Sequence, residues 1–443
     1  MIPFWIIKGK AYLKTRVAEK VSINPETLPY NNELLEYIQE QQALGRSIHL
    51  ATAAHISIAK KVAGYLNIFD SVLATTDKKN LKGVKKLHEI QKTIGTQFTY
   101  AGDNKSDIII WESSQSAILV NVSNEITRRV SEKTVIEKAF NQNSNGIAIL
   151  VKACRLHQWL KNLLIFIPLF TAFSFTDLDK VGDSILAFFS FSLLASATYI
   201  LNDLWDLESD RKHPRKKNRP FASGLMSIPL GVFLSLSLLI FGLILGSIVS
   251  VNFLYMLLLY LVMTLSYSLV FKTYVLIDVI FLSLLFTIRI LSGAVAISVS
   301  MSAWLLSFSV FIFLSLALVK RCSELVSLKS NDLVSSSGRD YQVSDLIILW
   351  PLGVGAALSA VVIFGLFIND PDTKVRYQTP EILWLASIGL IYWLSRVWVK
   401  TARGEMHDDP VVFAIKDRGS LITVLAIISV ILVAHFFSLQ VIR

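Results

Sequence analysis

The sequence is poor in cysteine. Cys154 and Cys322 are the two that occur among 443 residues, and both fall at expected ends of apolar segments. Neither a disulfide framework nor a cysteine-built metal cluster is suggested. Acidic residues are outnumbered, 33 against 43 basic ones, for a net charge of +10. No secretory leader is expected, because the start MIPFWIIKGKAYLK has no long apolar core and no small-residue cleavage site. No aspartate precedes Asp70. Long apolar runs are missing from the first 150 residues, which read as a soluble α/β domain.

After residue 160 such runs dominate. The chain is 53% hydrophobic, too apolar for a soluble protein of this length, and runs of about 18 residues are membrane-span candidates. About nine are expected, near 160–176, 184–203, 228–249, 251–270, 275–297, 302–320, 346–368, 381–399 and 421–440. Alternate connections carry the positive charge. One side holds Arg211, Lys212, Arg215, Lys216, Lys217 and Arg219, then Lys272, then Lys320, Arg321, Lys329 and Arg339, then Lys400, Arg403, Lys416 and Arg418. The other side holds Lys180, Lys374 and Arg376. The positive-inside rule makes the first side cytosolic. This predicts a multi-pass protein of the cytoplasmic (inner) membrane with its N-terminus cytosolic and its C-terminus outside. The positive charge then reports cytosolic loops and not nucleic-acid binding.

Between the second and third runs lies NDLWDLESDRKHPRKKNRPFASG, residues 202–224. If helix continues through residue 210, at about 100° per residue, Asn202, Asp203, Asp206 and Asp210 share an arc of about 100° and Glu208 points away. Carboxylates on one face repel unless a cation neutralises them. Mg²⁺ favours one or two carboxylates plus phosphate oxygens. A helix end is expected near Pro214. The basic residues that follow, Arg215, Lys216, Lys217 and Arg219, suit either a diphosphate or a solvated positive-inside loop.

The pattern N-D-x-x-D-x-x-x-D followed by R-P-x-x-S-G resembles the first aspartate-rich motif of the UbiA superfamily of membrane prenyltransferases. The resemblance covers residues 150–440. It implies nine helices around a cavity open to lipid, with Asn202, Asp203, Asp206 and Asp210 binding a diphosphate through Mg²⁺. The second acidic motif of that superfamily is missing. Its place reads YSLVFKTYVLID, from Tyr267 to Asp278, with one acid and Lys272. RLHQWLKNLLIFIP (155–168), RILSGA (289–294), KRCSEL (320–325) and GRDY (338–341) are similar to the decaprenyl-phosphate phosphoribosyltransferase branch. Leu156 stands where a proline is usual. The branch implies phosphoribosyl transfer from 5-phosphoribosyl diphosphate to a polyprenyl phosphate; the alternative is prenyl transfer to an aromatic acceptor such as 4-hydroxybenzoate. Arg155, Lys161, Arg219, Tyr267, Lys272, Asp278 and Arg289 are the substrate-binding candidates. Arg155 and Lys161 equally suit interfacial anchors. Asp278 and Arg289, about 20° apart on one helix face, are expected to line a cavity or face one another. A homo-oligomer is compatible with all of this.

Residues 1–125 resemble a haloacid-dehalogenase-type Rossmann-like domain. Thr52 matches its second motif, Lys85 or Lys82 the third, and Asp103 with Asp107 in GDNKSD the fourth. The nucleophilic aspartate expected upstream of Thr52 is absent, so no aspartyl-phosphate forms and no phosphatase activity is expected. The chain also starts as if a first strand were missing. Residues 126–150 are expected to be a polar linker ahead of the membrane domain, 151–443.

Overall fold

The computed structural model describes residues 9–77, 79–141, 146–213, 215–331, 339–406 and 410–438. The octapeptide at the start, Pro214, Gly338 and the middle of the 141–146 stretch, all named above, lie outside the described residues. By compactness the chain divides into two units, 1–150 with 206–226, and 151–205 with 227–443.

The first unit contains helices α1 (Lys10–Lys20) and α2 (Asn32–Ala43), then strand β1 (His49–His55), α3 (Ile56–Leu66) and β2 (Ser71–Thr75). After these come α4 (Val84–Thr93), β3 (Thr99–Gly102), α5 (Ile108–Trp111), β4 (Ser116–Val120), α6 (Asn124–Ser131) and β5 (Val135–Phe140). β1 pairs with β2, and β3, β4 and β5 form a second sheet in that order, all parallel. Parallel strands need crossovers, and the alternating helices supply them. Ile110, Trp111, Ala117, Leu119 and Val130 are fully buried between α5, α6 and the second sheet. The expected linker is corrected here. Residues 124–140 form a helix and the outer strand, because Val130, Ile136 and Phe140 give this polar stretch an apolar inner face.

Residues 206–226 belong to the same unit. They include α7 (Leu207–Lys212), which packs on the turn Pro25–Thr27. Phe221, Ala222 and Met226 are buried, and Gly224 sits at φ +76° with Pro29 about its own width away, 3.2 Å from where a Cβ would stand.

The second unit is helical. A 3₁₀ segment, Leu156–Phe166, leads into a short helix, Ile167–Thr171. Among the described residues, eight helices follow that are long and apolar enough to span a membrane. Seven are used below: α8 (Leu178–Trp205), α9 (Ile228–Val249), α10 (Val251–Leu269), α11 (Ile277–Ala296), α12 (Ala303–Lys329), α13 (Leu346–Asn369) and α14 (Leu383–Ala402); the eighth is Arg418–Phe436. The ninth expected span is therefore not a continuous α-helix. Eleven residues of 3₁₀ (about 2.0 Å each) and five of α (about 1.5 Å each) still reach about 30 Å, the thickness of a hydrocarbon core. Trp159 Nε1 and Asn162 Nδ2 donate to Ser196 and Ser192 of α8, each at 2.9 Å. On its other side, the carbonyl of Ile165 approaches Gly293 of α11 so closely that no side chain fits.

The central helices are α8 and α11. Their apolar stretches are 61% buried, against 17% in α9 and α10, whose outer faces remain for lipid. One core joins Phe191 and Leu194 with Leu257, Tyr260 and Ile288; another joins Leu318, Val319 and Leu325 with Leu349 and Trp398.

Candidate active site

The acidic stretch departs from the expected continuous helix. α8 ends at Trp205, and Asp206 interrupts it with φ −86° and ψ 13° before α7 begins. Asn202 and Asp203 therefore close a helix of the second unit, whereas Asp206 and Asp210 belong to the first. Each buried carboxylate has its own guanidinium. Asp203, 2% exposed, accepts from Arg155, which also lies 5.1 Å over the Tyr199 ring. Asp210, 1% exposed, accepts from Arg219 Nη1 at 2.5 Å. Local pairing of this kind costs less than three carboxylates gathered on one arc without a cation. Among the described residues no group of three or more His, Cys, Asp or Glu converges to hold a metal. One atom does await a partner: Asp210 Oδ1 is buried without a hydrogen bond. Beyond Lys212 the chain turns on His213, whose Nδ1 accepts from the N–H groups of Arg215 (3.2 Å) and Lys216 (3.3 Å). Burial, and then the charges of Lys216, Arg219 and Arg215, lower the His213 pKa. Arg215, Lys216 and Lys217 are exposed, and Arg219 is half-buried.

Arg289 and Asp278 do not meet. Arg289, 5% exposed, donates from Nε to Asn162 Oδ1 and from Nη2 to the Tyr260 hydroxyl, both at 2.9 Å, and from Nη1 to the Leu285 carbonyl. The rings of Tyr260, Phe286 and Phe191 lie 5.0, 5.3 and 5.7 Å from its guanidinium carbon. Neutral oxygens and aromatic faces thus solvate this charge. Lys161 is buried beside it, 5.6 Å over the Phe286 ring.

Asp278 is fully buried at the start of α11. Its Oδ1 accepts from the Tyr341 hydroxyl, and its Oδ2 lies 3.0 Å from Arg321 Nη2. Tyr341 also accepts from the N–H of Leu276 at 2.9 Å, where Leu276 holds φ +64°. Burial, reinforced by the bond to Asp278, raises the Tyr341 pKa. Arg321 continues to Glu324, and Arg339 donates to Glu324 Oε2 at 3.2 Å. Lys272 is half-buried in the 3₁₀ turn Phe271–Thr273, whose Thr273 carbonyl accepts from Asp340 N at 3.1 Å. Tyr267 is half-buried one helical turn before it. By sequence Arg321 reads as a loop charge or, with Lys320 and Glu324, as a helix-end charge network, and Arg339 as a loop charge. Arg321 instead lies inside α12, which runs to Lys329. The helical spacing of Arg321 and Glu324 was the available signal.

In the first unit the lysine that meets the fourth-motif acid is Lys86, not Lys85 or Lys82, which are exposed. Lys86 is on the inward face of α4, and its Nζ lies 3.0 Å from Asp107 and 2.8 Å from the Tyr100 hydroxyl. Burial, then Asp107, raises the Tyr100 pKa. Asp103 is exposed. Thr52 Oγ1 accepts from Ala54 N at 3.1 Å, within β1. Asp70 accepts from Ile48 N at 2.7 Å and so clasps the starts of β1 and β2. The end of β1 is covered by α1: Lys14 donates to the Ala53 carbonyl (2.6 Å) and to Asn80 (2.8 Å), and Thr15 to Asp77 (3.0 Å).

Residues 163–416 match the UbiA prenyltransferase family. The chain is 37% identical over 425 residues to "Uncharacterized protein y4nM" of Sinorhizobium fredii, covering 95% of this chain and 81% of that one. It is 36% identical over 286 residues to the nodulation protein NoeC of Azorhizobium caulinodans, covering 62% and 90%. It is 29% identical over 303 residues to the decaprenyl-phosphate phosphoribosyltransferase of Mycolicibacterium smegmatis, covering 66% and 94%. A solved UbiA homolog from Archaeoglobus fulgidus, bound to GPP and Mg²⁺, superposes with a TM-score of 0.48 at 16% identity, over 63% of this chain and 99% of that one. The family match takes in more than half of the chain, and the protein is a member of the UbiA prenyltransferase family, an integral membrane transferase.

Proposed function

We propose that this enzyme transfers a phosphoribosyl group from 5-phosphoribosyl diphosphate to the phosphate of a polyprenyl lipid. The state of Asp278 carries the reading. A prenyl diphosphate held by two metals calls for a second acidic cluster. Here the one acid at that place is buried against Tyr341 and Arg321, which favours a phosphate-binding role for this corner. The likeness to the Mycolicibacterium phosphoribosyltransferase supports the same substrates.

Mg²⁺ is the proposed cofactor. The buried, unpartnered Oδ1 of Asp210 suits a cation, and Asn202, Asp203, Asp206 and Asp210 are the residues proposed to hold it. When bound, the ion stabilises negative charge on the departing diphosphate. Arg155 and Arg219 orient Asp203 and Asp210 and lend positive charge next to the leaving group. A phosphate oxygen of the lipid attacks C1 of the ribose as the bond from C1 to the diphosphate oxygen breaks. Its second pKa is about 6, so the oxygen is largely ionised at neutral pH and no strong base is needed. Lys272, Arg155 and Lys161 are candidate contacts for the phosphate groups of the two substrates, and positioning supplies much of the rate. The first unit is proposed to be a non-catalytic haloacid-dehalogenase-like domain on the cytosolic side of the inner membrane. Its lysine–aspartate pair is buried, and no aspartate precedes Thr52 in the sequence.

The test incubates membranes carrying the protein with labelled 5-phosphoribosyl diphosphate and polyprenyl phosphate. A parallel mixture holds labelled polyprenyl diphosphate and 4-hydroxybenzoate. Product in the first mixture, lost in Asp206→Ala, is the expected outcome. Product in the second alone refutes the proposal in favour of prenyl transfer.

A further inference from the structure

We infer that Arg321 and Arg339 form the seat of a phosphate monoester, filled by the head of the lipid acceptor; the identity of that lipid rests on the function proposed above. Arg321 is 1% exposed. Its Nη1 is spent on Glu324. Its Nε and Nη2 have no hydrogen-bond partner. Asp278 Oδ2 is 3.0 Å from Nη2, yet it too lacks a hydrogen bond, so the charges touch without the N–H aimed at the oxygen. The Nε–Nη2 edge, which Asp278 approaches at Nη2 without a hydrogen bond, is the fork of a guanidinium that matches two oxygens of a carboxylate or phosphate.

A second donor is near by. Arg339 is tethered by Nη1 to the same Glu324, and its Nε is likewise buried and unpartnered. Glu324 thus holds two guanidiniums from different parts of the chain, one on α12 and one in the loop before α13. The seat is built rather than accidental. Tyr341 fixes Asp278 and the strained turn at Leu276, and Asp340 is tied to the loop that carries Lys272. A buried charged N–H left unpaired forfeits its hydration without return, and native proteins rarely leave several together. The three acceptor oxygens of a phosphate monoester would satisfy the fork of Arg321 and the Nε of Arg339. Arg289 is the contrast: all three of its nitrogens already donate.

The full-length protein in detergent is titrated with farnesyl phosphate, farnesol, inorganic phosphate and 5-phosphoribosyl diphosphate. Wild type should bind farnesyl phosphate at least about tenfold tighter than either farnesol or inorganic phosphate, the worth of one charge-assisted hydrogen bond. Arg339→Gln, and Arg321→Lys, which keeps the charge but loses the fork, should each weaken farnesyl phosphate about tenfold or more. Both should leave 5-phosphoribosyl diphosphate affinity within about twofold, since a role confined to the lipid head lies below one such bond for that ligand. Unchanged farnesyl phosphate affinity in both folded variants overturns the inference. Equal losses for the two phosphorylated ligands overturn it in favour of a structural staple. Inorganic phosphate binding as tightly as farnesyl phosphate overturns the lipid assignment. If the seat holds but no phosphoribosyl transfer is seen, the binding losses persist without turnover, so the two failures read differently.

Discussion

Asp203 and Arg155 show how a single pair shapes the site. The aspartate is buried, and its oxygen faces a guanidinium delivered by the 3₁₀ segment. Groups that orient a metal-binding carboxylate typically change metal affinity about 10–100-fold when removed. Arg155→Ala is expected to raise the Mg²⁺ concentration for half-maximal activity by about that factor, read from Mg²⁺ titrations at saturating substrates. Arg289 is predicted to behave in the opposite way. Because its donors are spent on Asn162, Tyr260 and Leu285, Arg289→Met should lower the melting temperature in detergent while both substrate KM values stay within about twofold, as unshared sites do. Glu137 gives a pH test. Burial opposes its ionisation, but hydrogen bonds from Tyr37, Ser116 and Arg46 outweigh burial and hold its pKa at about 2. A depressed carboxylate stabilises above its unfolded value, about 4.3, and that stability is lost as pH falls towards 2. Pepsin should begin to cut β4 and β5 across this window, and Glu137→Gln should be cut at the top of it.

At the scale of elements, the break at Asp206 decides what the loop can do. Had α8 run on through Asp210, its carboxylates would share one arc. Instead α7 packs on the turn Pro25–Thr27, and the basic loop is held by Phe221, Ala222 and Met226. Gly224 closes this loop with a positive φ against Pro29. A left-handed conformation costs a side-chain-bearing residue about 1–2 kcal/mol, and a Cβ there meets Pro29 as well. Gly224→Val should expose 206–226 to trypsin and reduce turnover, while Gly64→Ala, at an open helical site, should do neither. A cut pattern identical to wild type would refute this role for the loop.

At the scale of the whole molecule, the eight apolar helices among the described residues and one 3₁₀-led segment of similar reach set the topology question. If that segment crosses, the connection before α8 lies outside and the basic loop after it lies inside. Cysteine substituted at Lys180 should then react with an impermeant maleimide in intact cells, and cysteine at Lys212 only after lysis. What the sequence determined by itself is what depends on composition and spacing along the chain. Apolar runs located the long helices, although α12 continues past the expected end at residue 320 to Lys329, and the NDLWDLESD spacing marked the candidate site. Tertiary structure decided what depends on partners distant in sequence. It chose Lys86 over Lys85, turned 124–140 into helix and strand, gave Asp203 and Asp210 separate guanidiniums, and sent Asp278 to Arg321 instead of Arg289. The reason is physical: a buried charge takes the partner that folding brings nearest, and sequence spacing along one helix cannot say which chain segment that will be.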